Sequence, residues 1–158
     1  MAGMQYLTVQ DLLWVHLQVT KQVEPFDFAR LEDAVYAQYG YGKSTDIFAQ
    51  AGRFAQELVK KEAFAFGNQP MAFLASLAFL EMNDIHLDLN DGEGVRFFDQ
   101  VLEGQAPGDT FRSRVKPEHG DHHGEESSHG VVEPIVLDLV NRFRSTLETL
   151  KGRAETAV

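Results

Sequence analysis

The stretch PMAFLASLAFL, from Pro70 to Leu80, decides the fold. It contains no charged side chain, and its apolar residues cover every face of a helix instead of forming one stripe. A helix of this kind is buried on all sides by other helices. Pro70 suits the first turn, because an amide N–H at that point has no partner within the helix. The stretch therefore predicts a central core helix.

The segments on either side of this stretch predict amphipathic helices that surround it, because their apolar residues recur at helical spacing. We expect a single all-α domain over residues 1–158. The predicted outer helices are one opened by a Thr8–Asp11 capping box and ending before Glu24, one over residues 28–39, one capped by Ser44 or Thr45 and reaching Val59, one capped by Asp91 and reaching Leu102, and a C-terminal helix over residues 131–150. Residues 84–89 alternate and predict a short strand or extended segment, and residues 105–109 predict a turn.

Composition limits the classes of function. The chain has 158 residues, no cysteine and a formal net charge of −10. A chain of this length forms one domain with a sizeable core. The missing thiols exclude disulfides, thiolate zinc sites and cysteine nucleophiles, and they favour the cytoplasm. The negative charge disfavours nucleic acid and anionic membrane surfaces. We find neither a signal peptide over residues 1–5 nor a membrane span.

Histidines are concentrated in one loop. Residues 117–130 contain no apolar side chain and predict a mobile, solvated loop. Neutral imidazoles bind zinc and nickel, so the loop is a weak candidate for loose metal binding, and adventitious binding is the competing interpretation. A metal-responsive protein is therefore one alternative function. The imidazoles concerned are His119, His122, His123 and His129. His16, in contrast, lies between core positions and predicts a buried, hydrogen-bonded side chain.

The segment EAFAFGNQPMA, residues 62–72, connects an amphipathic helix to the central helix. Together with LEDAV at residues 31–35 and FLEMN at residues 79–83, it resembles the Fic/Doc (Fido) family, closest to its small Doc-like members. Those members carry His-Pro-Phe-x-Asp-Gly-Asn-Lys-Arg in this loop. The resemblance covers about residues 6–103. It implies an all-α fold with a short β-hairpin flap near residues 39–43, and transfer of AMP or phosphate from ATP, with Mg²⁺, to a protein hydroxyl.

The motif is eroded at the positions that carry this chemistry. Glu62 stands where the family has its catalytic histidine, and a carboxylate is a weaker base than an imidazole at neutral pH. Phe66 replaces the acid that holds the metal, and it offers no oxygen to Mg²⁺. Gln69 replaces the lysine, and Pro70 replaces the arginine that grips phosphate. The base, the metal ligand and the phosphate clamp are therefore all missing.

The sequence thus predicts a degenerate Doc-like protein that has lost the transferase reaction. It would act as a binding or regulatory protein in a toxin–antitoxin-like setting, with an antitoxin-like protein or a target peptide as its partner. The alternative is an active AMP- or phosphotransferase that uses Glu62. The tyrosines Tyr39 and Tyr41 would form the flap that receives a peptide by strand addition, or would simply pack in a turn.

Two residues of the motif are retained in a form that could hold an anion. Gly67 and Asn68 precede the central helix, and the backbone amides at a helix start attract phosphate. The competing interpretation is structural. In that case Gly67 supplies a backbone conformation with positive φ and Asn68 caps the helix.

Overall fold

The computed structural model describes residues 4–39, 46–116 and 132–153. Within these ranges the chain is all-α, as predicted, with two isolated β-bridges and no sheet. The helices are α1 (Val9–Thr20), α2 (Phe28–Tyr36), α3 (Ile47–Lys61), α4 (Asn68–Met82), a 3₁₀ helix (Asp91–Glu93), α5 (Gly94–Glu103), α6 (Pro107–Arg112), α7 (Val132–Arg142) and α8 (Arg144–Lys151). None of the helices in the described ranges is long and apolar enough to cross a membrane.

Helix α4 is the centre of the molecule, which confirms the prediction from its sequence. Every residue from Pro70 to Leu80 is buried. Helices α1, α3, α7 and α8 all pack against α4. The ring of Phe73 meets those of Phe98 and Phe143 edge to face, at centroid distances of 5.5 and 5.1 Å. These contacts bring α5 and the C-terminal helices onto one side of α4.

The predicted start of α1 is correct, whereas the predicted cap of α3 is not. The Thr8–Asp11 capping box at α1 is present, with reciprocal side-chain and backbone hydrogen bonds of 3.0 and 2.8 Å. The predicted cap of α3 at Ser44 or Thr45 is wrong. The carboxylate of Asp46 is the cap, since it accepts hydrogen bonds from the amides of Phe48 and Ala49.

The predicted C-terminal helix over residues 131–150 is divided into two. Helix α7 ends at Arg142 and α8 begins at Arg144, with the buried Phe143 at the break. The amides that open α8 are held by a distant residue, because the Asp91 carboxylate accepts hydrogen bonds from Ser145 and Thr146 at 2.9 and 2.8 Å. Asp91 therefore caps α8 and not the helix that follows it in sequence.

Two further segments differ from expectation. Residues 105–109 were expected to form a turn, but α6 begins at Pro107, a residue suited to a first helical turn. Helix α6 also lies very close to α3, because a Cβ added to Gly108 would be 2.8 Å from the backbone nitrogen of Ala49. Residues 84–89 form only one isolated bridge, between Leu87 and Val115.

Candidate functional site

The loop of residues 62–67 connects α3 to α4, and two left-handed residues define its ends. Glu62 follows α3 with φ 47°, and Gly67 precedes α4 with φ 84°. The positive φ expected for Gly67 is therefore present. Between these residues, Phe64 forms an antiparallel bridge with Phe26, and the Asp27 amide donates to the carbonyl of Ala63 at 2.8 Å. The loop is thus tied to the segment between α1 and α2.

Asn68 holds the loop in a closed turn. Its side-chain oxygen accepts a hydrogen bond from the Phe64 amide at 3.2 Å, and its side-chain nitrogen donates to the Phe64 carbonyl at 2.9 Å. The side chain is buried. The expected cap at Asn68 is wrong, because Asn68 is the first residue of α4 and Gly67 is the N-cap. Asn68 does have a structural role, which is to hold the backbone of Phe64 rather than to cap α4.

Helix α1 presses directly against Gly67. A Cβ at that position would be 2.7 Å from Cγ2 of Thr20 and 3.1 Å from Nε2 of His16. Real Cβ atoms do not approach other atoms as closely as the first of these distances. The space beside Gly67 is therefore filled by α1, and only glycine satisfies both the contact and the positive φ.

His16 is the residue that connects α1 to this loop. Its Nε2 lies 2.8 Å from the carbonyl oxygen of Phe66, and since a carbonyl only accepts, Nε2 carries the hydrogen. The imidazole also stacks on the ring of Phe64, with centroids 3.7 Å apart. It is 2% exposed. The prediction of a buried, hydrogen-bonded histidine is confirmed, but nothing in the sequence indicated that its partner is in the motif loop.

The resemblance aligns Gln69 with the lysine of the family and Pro70 with its phosphate-gripping arginine, and both residues make contacts within this protein. The side-chain oxygen of Gln69 accepts a hydrogen bond from Arg153 at 3.1 Å, and Pro70 is buried. Arg153 is itself held by Asp99, with N–O distances of 2.8 and 3.2 Å. The hydrogen bonds that Arg153 donates to the Asp99 carboxylate raise the pKa of Arg153, so the guanidinium stays charged and forms an ion pair with Asp99.

Phe66 does not supply the acidic metal ligand that the family has at this position, and Glu62 is not an oriented base. Phe66 is half-buried where the family has its acid, and its carbonyl is occupied by His16. Glu62 is exposed at the end of α3, and within the described residues its carboxylate has no hydrogen bond or ion pair. A base is effective when a partner orients it toward the proton that it removes. The loop therefore does not fit a complex of ATP with Mg²⁺.

A cavity of about 370 Å³ lies on the outer side of the same region, between α1 and residues 22–26. His16 and Phe64 form part of its inner wall, so the cavity and the motif loop share two residues. The sequence did not indicate this cavity, because Phe64 reaches its wall through the long-range bridge between Phe26 and Phe64. Its lining is mainly apolar.

The flap prediction is tested in only one of its residues. Tyr39 is half-buried and its ring meets that of Tyr6 edge to face, with centroids 4.3 Å apart. Its carbonyl accepts a hydrogen bond from Arg53 at 2.9 Å. Tyr39 therefore packs against the domain. Tyr41 and the rest of the predicted hairpin, residues 40–43, lie outside the described residues.

The four histidines of the predicted metal site also lie outside the described ranges, at positions 119, 122, 123 and 129. Zinc or nickel binding by that loop stays a prediction. Elsewhere in the described chain, no group of three or more histidine, aspartate or glutamate side chains is placed to hold a metal ion.

Comparisons with known proteins add no relative. No family model, no curated protein and no solved structure matches this chain.

Proposed function

We propose that the chain is a degenerate Doc-like protein of the Fic/Doc class, without the transferase reaction, that acts as a binding or regulatory protein in a toxin–antitoxin-like setting. The observation that best supports the proposal is that the residues at the motif positions make contacts within the protein. Pro70 is buried at the position of the family's phosphate-gripping arginine. Gln69 accepts a hydrogen bond from Arg153, and Arg153 is already paired with the Asp99 carboxylate.

The retained motif residues support the same conclusion. Gly67 and Asn68 each have a structural role in this fold. Gly67 allows the close approach of α1, and Asn68 closes the turn by hydrogen bonds to Phe64. Their presence therefore needs no bound nucleotide to explain it. A helix start can bind phosphate through its amides, but the family adds cationic side chains that this loop lacks.

A protein partner is supported by apolar side chains on the surface of α2. Phe28 is 55% exposed and Tyr36 is 47% exposed. Single exposed apolar residues are common, but aromatic residues are also the usual anchors of protein interfaces. Placing a photocrosslinking residue at Phe28 or Tyr36 should trap one defined product in cytosol of the source cell. The same residue at Glu148, an exposed position on α8, should not trap it.

The transferase question is tested by incubation with Mg²⁺ and ATP in a cell lysate. One sample carries the label on the α-phosphate, which follows AMP transfer, and the other carries it on the γ-phosphate, which follows phosphate transfer. We expect no protein to be labelled by this chain in either sample. Label that appears with the wild type and disappears with Glu62→Ala would establish the alternative, an active enzyme that uses Glu62.

A further inference from the structure

The cavity between α1 and residues 22–26 has the properties of a small-molecule site. Its volume of about 370 Å³ lies within the range of ligand pockets, roughly 300–1,000 Å³. Its walls are mainly apolar, and α1 contributes residues three and four positions apart, which share one face of the helix. The apolar walls are Leu13, Trp14, Leu17, Val23, Phe26 and Phe64.

Few polar side chains line the cavity, and the formally charged one among them is acidic. Glu24 is the one aspartate, glutamate, lysine or arginine among the described residues that line it. The side-chain nitrogen of Gln22 donates a hydrogen bond to the Glu24 carboxylate. The Nε2 hydrogen of His16 is directed to the carbonyl of Phe66. The lining therefore combines one carboxylate with aromatic and aliphatic side chains.

We propose that this cavity binds a small hydrophobic amine, with its carbon skeleton against Trp14 and Phe26 and its ammonium group at Glu24. Burying an apolar skeleton supplies most of the affinity, and the charge-assisted hydrogen bond to Glu24 supplies the selectivity. The net charge of −10 adds a field that attracts cations and repels anions. The inference depends on the cavity alone and holds whether or not the proposed function is correct.

Trp14 makes the test direct, because it is the single tryptophan of the chain and it lines the cavity. Its fluorescence is followed during titration with three molecules of similar shape, namely phenethylamine, phenethyl alcohol and phenylacetate. At neutral pH these are a cation, a neutral molecule and an anion. We expect saturable changes with the amine and the alcohol, and at least about tenfold tighter binding of the amine than of phenylacetate.

Two variants separate the contribution of Glu24 from that of the overall charge. Glu24→Gln should bring the affinities for the amine and the anion to within about threefold while leaving that for the alcohol unchanged. Glu148→Gln, which removes one negative charge on α8 away from the cavity, should keep the tenfold preference. The proposal is overturned if the amine gives no saturation in the millimolar range, if the anion binds equally well, or if Glu24→Gln keeps the full preference.

Discussion

His16 and Phe66 are 50 residues apart in sequence, and the imidazole Nε2 of one donates a hydrogen bond of 2.8 Å to the carbonyl oxygen of the other. This bond attaches α1 to the loop that opens the central helix. Together with the Asn68–Phe64 pair, it determines the shape of the loop without any ligand. The loop is therefore held by contacts within the protein.

Replacing His16 should measure the energy of this attachment. His16→Phe keeps an aromatic ring on Phe64 but leaves the Phe66 carbonyl without its donor, so we expect a loss of about 1–3 kcal/mol in unfolding free energy. His16→Ala also removes the stacked ring and should lose more, about 3–5 kcal/mol. Urea unfolding of both variants gives these values. Equal losses in the two variants would show that the stacking on Phe64 contributes nothing.

Asn68 should prove essential to stability. Asn68→Ala leaves both the amide and the carbonyl of Phe64 without this partner in a buried turn, which should cost about 2–4 kcal/mol. Asn68→Asp keeps an acceptor for the amide but places a negative oxygen against the carbonyl, so it also destabilises the fold. Denaturant unfolding checks both variants. An unchanged midpoint for Asn68→Ala would contradict a structural role for this motif residue.

The contact between Gly67 and Thr20 allows strain and crowding to be separated. Gly67→Ala meets the positive φ and the 2.7 Å approach to Cγ2 of Thr20, so it should lose about 2–4 kcal/mol. Thr20→Ser removes that methyl group and keeps the hydroxyl that donates to the His16 carbonyl. Combining the two changes should recover the crowding part and leave about 1–2 kcal/mol of backbone strain. A double variant whose losses simply add would mean that the two residues do not touch.

Sequence reasoning succeeded where the signal is local or periodic. The Thr8–Asp11 capping box and the uncharged stretch from Pro70 to Leu80 specify α1 and the central helix by themselves. It failed where a distant residue decides the structure. The apolar periodicity continues through Phe143, whereas the carboxylate that accepts the first amides of α8 belongs to Asp91, far away in sequence.

The candidate site shows the same division. The segment from Glu62 to Ala72 could be singled out in the sequence, and the positive φ of Gly67 could be predicted from it. The partners of the loop could not be located, because His16 and Arg153 reach it from opposite ends of the chain. The cavity at Trp14 depends on the same long-range packing.

Asp91 should make the stability of the C-terminal helices dependent on pH. Partial burial acts to raise the pKa of Asp91, but hydrogen bonds from Thr146 and Ser145 outweigh it and hold the pKa below its usual value. Its contribution is therefore present above the unfolded value, about 3.9, and is lost as the pH falls through the folded value. Asp91→Asn should cost about 0.5–2 kcal/mol at pH 7, and the difference from the wild type should shrink below about pH 4. Thermal unfolding at several pH values measures it, and a difference that is constant with pH would exclude a role for the charge.

We propose that the loop before α4 does not bind a nucleotide, and calorimetric titration with ATP and Mg²⁺ tests this proposal most directly. Each charge-assisted contact to phosphate contributes about 1.5–3 kcal/mol, so losing the clamp and the metal ligand weakens a micromolar site by roughly two to four decades. We predict a dissociation constant weaker than about 1 mM for the wild-type chain. A micromolar constant would contradict this proposal and would favour the alternative of an active transferase that uses Glu62.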